Sequence, residues 1–257
     1  MRWSRGRRSS RAVPSIIQCL TGRTSQRSAR LPRPLLADPL GLIFDLDGTL
    51  IDSAPDIHMA ANRVLAEESL PALPFETVRG FIGNGVGVLM TRILASQGLS
   101  DDTVLHHRMV ASFIDLYEEA VHLTELYPDV RAALAHLADA GHPMAICTNK
   151  PEAPARSVLR HFGLDRFFPV IIGGDSLAQR KPDPAPLLAA RSALKTGRIL
   201  FVGDSEVDAE TARHAAIPFA LFSEGYRKTA AQDLGAKVIF GSYAALPALV
   251  SHLGGRI

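Results

Sequence analysis

Four short stretches of the chain are apolar without alternation: Leu42-Ile43-Phe44, Met144-Ala145-Ile146-Cys147, Val170-Ile171-Ile172 and Ile199-Leu200-Phe201-Val202. A strand with one wet face alternates apolar and polar residues, so continuous runs predict strands of a parallel sheet covered on both faces. A helical period intervenes. Val130, Ala133, Leu134 and Leu137 recur at helical spacing before the break at Gly141-His142-Pro143. The pattern predicts an α/β fold.

Between Asp56 and about Glu125 the strand pattern disappears. Helical periods replace it over Ile57 to Glu67, Val86 to Gln97 and Asp101 to roughly Val121, where Leu105, Met109, Phe113 and Leu116 share a face. A structureless connection of that length is improbable in a compact domain, so residues 56–125 predict a small helical domain inserted into a core of residues 39–55 and 126–257. Within the insert runs Gly83-Asn84-Gly85-Val86-Gly87. Its glycines allow backbone N–H groups to approach a small anion, and they equally suit a plain turn between helices. No strand leads into it, so it does not signal a dinucleotide site.

The polar residues that end the apolar runs carry the candidate chemistry. Ligands of open parallel sheets bind beyond the carboxyl ends of the strands. The first run ends in Asp45 and Asp47 of DLDGT, two carboxylates whose mutual repulsion a hard divalent cation such as magnesium relieves. The alternative is a polar turn that caps the next helix. The second run ends in Thr148-Asn149-Lys150-Pro151, where Thr148 and Asn149 either donate to a phosphate or cap a helix. After the third comes Arg180-Lys181-Pro182-Asp183-Pro184, whose prolines stiffen the loop and hold Lys181 as a fixed cation rather than a solvated one. The fourth leads to Gly203-Asp204-Ser205-Glu206-Val207-Asp208, with Asp204 at the strand end and Asp208 one helical turn on. That pair closes a metal site or caps a helix. Together the four junctions hold a carboxylate nucleophile, an acid/base partner, phosphate donors, a fixed cation and magnesium ligands.

DxDGT, the Thr, the Lys and GDSxxD resemble the four signature motifs of the haloacid dehalogenase superfamily of phosphohydrolases, from about Gly41 to near the C-terminus. The resemblance implies a Rossmann-like core with an inserted α-helical cap, and an aspartyl-phosphate mechanism. It implies Asp45 as nucleophile and Asp47 as general acid and base. Magnesium would be bound by Asp45, the backbone carbonyl of Asp47 and Asp204, with Asp208 ordering its waters. Thr148 and the backbone at Asn149 would bind the phosphoryl oxygens, and Lys181 would neutralise them. The segments IGNGVGVLM, ICTNKP, RKPDPAPLL and ALFSEGYRK look like the phosphoglycolate phosphatase branch, which implies 2-phosphoglycolate as substrate, with Gly83, Asn84 and Gly85 against it. A sugar-phosphate phosphatase or a phosphomutase would share the same core residues.

Composition adjusts this picture at one end. The 257 residues are 47% hydrophobic and carry a net charge of +2, but residues 1–37 hold nine Arg and no Asp or Glu, leaving −7 for the rest. Residues 1–38 are expected to form a disordered or extraneous basic leader; organellar targeting and a nucleic-acid-binding arm on a vestigial phosphatase are the other readings. No apolar run approaches the ~20 residues that cross a bilayer. Two cysteines, Cys19 and Cys147, give no disulfide framework and suit a reducing cytoplasm. The expected partner is a small phosphorylated metabolite rather than nucleic acid or membrane, with a homo-oligomer left open.

Overall fold

The computed structural model describes residues 39–117 and 121–254; the basic leader lies outside them. Six strands form one parallel sheet: β1 (Gly41–Phe44), β4 (Met144–Cys147), β5 (Val170–Ile172), β6 (Ile199–Gly203), β7 (Phe219–Phe222) and β8 (Val238–Phe240). Their spatial order is β5-β4-β1-β6-β7-β8, and Phe44 is flanked by Ile146 of β4 and Val202 of β6. The chain builds outward from β1 on one side, then crosses to β6 on the other. The crevice of such a sheet opens at that switch, between β1 and β6.

Both faces are covered, which is why the strands read as unbroken apolar runs. Leu42 and Phe44 pack with helices α5 (Val130–Asp139), α6 (Glu152–His161) and α9 (Leu246–Leu253). Ile43, Ala145 and Cys147 face the other way, against α7 (Ala185–Leu194) and α8 (Glu206–His214). Burial pushes the Cys147 thiol up to about 12, against the pull of Lys181, so it is a core residue and no nucleophile. Strands β7 and β8 extend the sheet beyond the four runs noted in the sequence.

The helices α1 (Ala54–Glu67), α2 (Phe75–Arg79), α3 (Val86–Ser96) and α4 (Thr103–Tyr117) have an apolar cluster of their own, with Val64, Met90, Ile93, Met109 and Phe113 essentially inaccessible. In α4 the fully buried row is Leu105, Met109, Phe113 and Tyr117, each four residues apart, and Leu116 lies only partly buried beside it. The chain leaves and re-enters the sheet domain through a short antiparallel pair, β2 (Ile51–Asp52) and β3 (Glu125–Leu126). Two clasps tie these linkers. Asp56 accepts hydrogen bonds from the Leu123 and Thr124 N–H groups and from Thr124 Oγ1, and Tyr226 Oη accepts from the N–H groups of Ser53 and Ala54.

Candidate active site

The Asp45 N–H donates to Val202 O at 2.9 Å, so the pairing of β1 with β6 persists up to the first aspartate and fixes it at the switch. The chain then turns at Gly48, whose φ of +83° belongs to the left-handed region, and a Cβ there would stand 2.5 Å from Asp204 Oδ2. Glycine is required on both counts. Asp47 sits beyond the strand, its Oδ1 accepting from Ser53 Oγ at 2.6 Å and from Lys150 Nζ at 3.2 Å. Neither aspartate caps a helix, since the N-cap of α1 is Ser53.

A buried charge cluster lies at this point. Asp45, Asp204 and Asp208 offer carboxylate oxygens that all fall within 4.8 Å of one another. Lys181 is only 2% exposed, with Nζ 2.9 Å from Asp45 Oδ1 and 2.7 Å from Asp208 Oδ1. The stiff loop after β5 has buried this lysine rather than leaving it in solvent. Its contact with Asp208 has hydrogen-bond geometry; that with Asp45 is a charge contact at a poor angle, which leaves Asp45 Oδ1 buried with no hydrogen bond. Burial opposes the charge on Lys181, yet the carboxylates of Asp208 and Asp45 outweigh it and hold the ammonium above its ordinary value.

The acids show the opposite strain. Burial pushes Asp45 up to about 7, with Lys181 opposing and Asp208 adding to the rise. Burial and then the charges of Asp208 and Asp45 raise Asp204 as well. Three buried carboxylates share one ammonium, so two negative charges lack a counter-cation. An all-oxygen donor set with that deficit fits a hard divalent ion such as magnesium. Asp208 is the member least free to bind one. Its Oδ1 holds Lys181, and its Oδ2 accepts from Ser205 Oγ and the N–H groups of Asp204 and Ser205 in the capping box of α8. Asp204 is held by Thr49 Oγ1 on Oδ1 and by the Tyr226 N–H on Oδ2. Asp45 and Asp204 are thus less fully engaged than Asp208, which also holds the lysine.

Thr148 is 3% exposed at the end of β4, with its Oγ1 accepting from the Lys150 N–H and its own O–H left to donate. The helix that follows, α6, has Pro151 at its N-cap and no side-chain cap, so neither Thr148 nor Asn149 serves as one. Asn149 Nδ2 donates to Gly83 O and to Lys181 O, joining the glycine loop of the helical insert to the lysine loop of the sheet. Asn149 Oδ1 is buried without a partner. Gly83 and Gly85 have φ of +117° and +84°, and a Cβ on Gly85 would press at 3.3 Å on Asn149 O. The Asn84 side chain accepts from Arg92 Nη2 at 2.8 Å, and both line a second cavity that Asp45 and Asp47 also reach.

Three residues of this site escape the sequence reading. Lys150 is buried beside Asp47, and it also donates to Tyr117 Oη, the last residue of α4. Burial pulls its pKa below the ordinary lysine value, with Asp47 opposing. Tyr226 joins Asp204 to the outgoing linker, as its N–H meets the carboxylate and its Oη meets Ser53, Ala54 and Asp52. A signal for Tyr117 was present in its spacing of four from Phe113, and one for Lys150 in its place directly after Thr148 and Asn149. Nothing local marks Tyr226.

A sequence profile described as haloacid dehalogenase-like hydrolase matches residues 42–222. The chain belongs to the haloacid dehalogenase-like hydrolases. Among relatives of this hydrolase, a phosphoglycolate phosphatase of Cereibacter sphaeroides (strain ATCC 17025) is 50% identical over 83% of the chain and 98% of its own length. One of Rhodospirillum rubrum is 40% identical over 81% and 89%. A crystal structure from Haemophilus somnus 129PT, described as a predicted phosphoglycolate phosphatase, superposes with a TM-score of 0.77 at 30% identity, covering 82% of this chain and 97% of that one. The α/β sheet core is therefore that of the family, and the charged residues described above lie within or just beside the matched span.

Proposed function

We propose that this hydrolase is a magnesium-dependent phosphatase that converts 2-phosphoglycolate to glycolate and phosphate through an aspartyl-phosphate on Asp45. The observation that carries the chemistry is the buried trio of carboxylates around Lys181, which has the charge deficit and donor set of a magnesium site. The substrate rests on the relatives named for it and on size. The cavity lined by Asp45, Asp47, Thr148, Lys150, Leu89 and Phe113 measures about 50 Å³. A water needs roughly 10–15 Å³ on that measure, so this space suits a leaving group of about two carbons.

Asp45 and Asp204, with the backbone carbonyl of Asp47, would hold the magnesium, which when bound supplies charge neutralisation to the phosphoryl group. An Asp45 oxygen attacks phosphorus in line, and the bond from phosphorus to the ester oxygen breaks. Asp47 serves as general acid, passing a proton to the departing alkoxide, and then as general base, taking one from the water that attacks the phosphoenzyme and releases phosphate from Asp45. Lys181 and the Thr148 hydroxyl offset the negative charge of the phosphoryl oxygens, each such donor contributing about 3 kcal/mol in the transition state. The helices of residues 56–125 act as a cap that excludes water and selects the leaving group. We place the protein in the cytoplasm, on its bacterial relatives and its buried reduced thiol.

The test is a comparison of kcat/KM across 2-phosphoglycolate, glucose 6-phosphate, glucose 1-phosphate and phosphoserine, with and without magnesium. The highest value is expected on 2-phosphoglycolate, with metal required and one inorganic phosphate released per turnover. A higher value on a sugar phosphate, or recovery of an isomeric sugar phosphate, overturns the substrate.

A further inference from the structure

We propose that Lys150 reads the negative charge of the leaving group, pairing its ammonium with the carboxylate of a short phosphorylated hydroxy acid while Lys181 serves the phosphoryl side. The inference rests on the 2-phosphoglycolate reading above and names the residue that enforces it.

The placement of Lys150 is unusual for its type. Lysines carry their charge to water wherever the stem permits, yet this one is 8% exposed, its head drawn inward. An ammonium has three protons to donate. One goes to Asp47 Oδ1 at 3.2 Å and one to Tyr117 Oη, whose ring centroid also lies 3.9 Å from Nζ, and among the described residues no oxygen or nitrogen takes the third. A buried donor without a partner is costly unless a ligand supplies one.

The cavity beside it shows what that ligand must be. Lys150 is the only cation among the residues lining it, while Asp45 and Asp47 present two carboxylates and Leu89 and Phe113 present apolar walls. An anionic leaving group is repelled there by both acids unless a cation receives it. Lys181 cannot do so, being held between Asp45 and Asp208. The rival seat is the neighbouring cavity of about 270 Å³, which Arg92 and Lys228 line. Arg92, however, already donates to Phe81 O and Asn84 Oδ1. The two lysines thus divide the substrate: one faces the transferred group, the other the group left behind. A phosphate ester of the same length with an uncharged leaving group gives the third donor of Lys150 no anionic partner, so selectivity arises from attraction to one substrate and from a penalty on the other. Tyr117, donated by the helical insert, fixes the ammonium from the cap side.

The test compares 2-phosphoglycolate with 2-hydroxyethyl phosphate, its neutral counterpart, in the wild-type protein and in Lys150→Met, which keeps the length of the side chain without its charge. Both kcat/KM values fall, because Asp47 loses a partner, but their ratio falls by about 30-fold, carried chiefly by KM for 2-phosphoglycolate. Inhibition by glycolate weakens in parallel. Equal losses on the two esters overturn the proposal and reduce Lys150 to a support for Asp47. Collapse of the ratio in Arg92→Gln, with the ratio intact in Lys150→Met, overturns it in favour of the other cavity. Lys150→Gln gives the same comparison should the methionine variant not fold. A wild-type protein that prefers a sugar phosphate overturns the substrate reading and this inference together, whereas a wild-type preference for 2-phosphoglycolate whose ratio is unchanged in Lys150→Met overturns this inference alone.

Discussion

The ends of the sheet strands and the helical insert contribute to one site by different physical means. At β1, β4 and β6 the backbone ladder fixes where each polar residue stands, and the resulting side chains are buried acids and a buried lysine whose charges do not balance without a cation. The insert has its own apolar cluster, and it offers walls, a glycine loop and one tyrosine hydroxyl. Charge is the currency of the first region and shape that of the second. The difference teaches how the proposed roles are shared: the strand ends carry the groups assigned to phosphoryl transfer together with Lys150, and the insert supplies walls and a hydroxyl on the leaving-group side.

The largest effect that tests this division is at the nucleophile. Asp45→Asn is expected to lower kcat by roughly 10⁴-fold or more on every ester, since no other carboxylate in the cluster is free to attack. Equal loss across substrates is the signature of the strand-end region; a substrate-dependent loss breaks the comparison. Lys181→Met comes next, with kcat down by roughly 10²–10³-fold and again without change in the ranking of esters. Steady-state kinetics on two or more esters reads both.

Third is a linked effect of pH and metal on stability. Asp45 is raised by burial to about 7 from a model-peptide value of 3.8, so between those values the folded protein holds more protons than the unfolded one. Stability of the metal-free protein therefore falls as pH rises through that window and levels off above it. If magnesium binds the ionised carboxylates as proposed, it is expected to raise Tm more at pH 8 than at pH 5. Thermal melts with and without the ion check the sign; a metal effect that grows toward acid contradicts the site. The smallest effect belongs to the insert. Gly85→Ala, at φ +84°, costs about 1 kcal/mol of stability and raises KM several-fold with kcat little altered.

The same contrast explains how much was legible in the sequence. Leu42-Ile43-Phe44 and its three counterparts announce themselves because burial on both faces removes every polar residue, and the polar residue that ends such a run is conspicuous. Asp45, Thr148 and Asp204 were visible for that reason, and Lys181 for the prolines that follow it. Lys150 was not, because a lysine after a strand is ordinary until its burial beside Asp47 and Tyr117 is seen, across 103 and 33 residues of chain. In α4 the period admitted both Leu116 and Tyr117 to the apolar face, and only packing placed the tyrosine innermost. The part of Tyr226 depends on contacts with Asp204 and Ser53 that no local pattern encodes.

The central claim is that Asp45 takes the phosphoryl group. Its most direct test is to quench the protein in acid during turnover of radiolabelled 2-phosphoglycolate with magnesium and to map the label by peptide mass spectrometry. The label is expected on the Asp45 carboxylate and absent from Asp45→Asn; label on another residue, or an unchanged yield in Asp45→Asn, contradicts it.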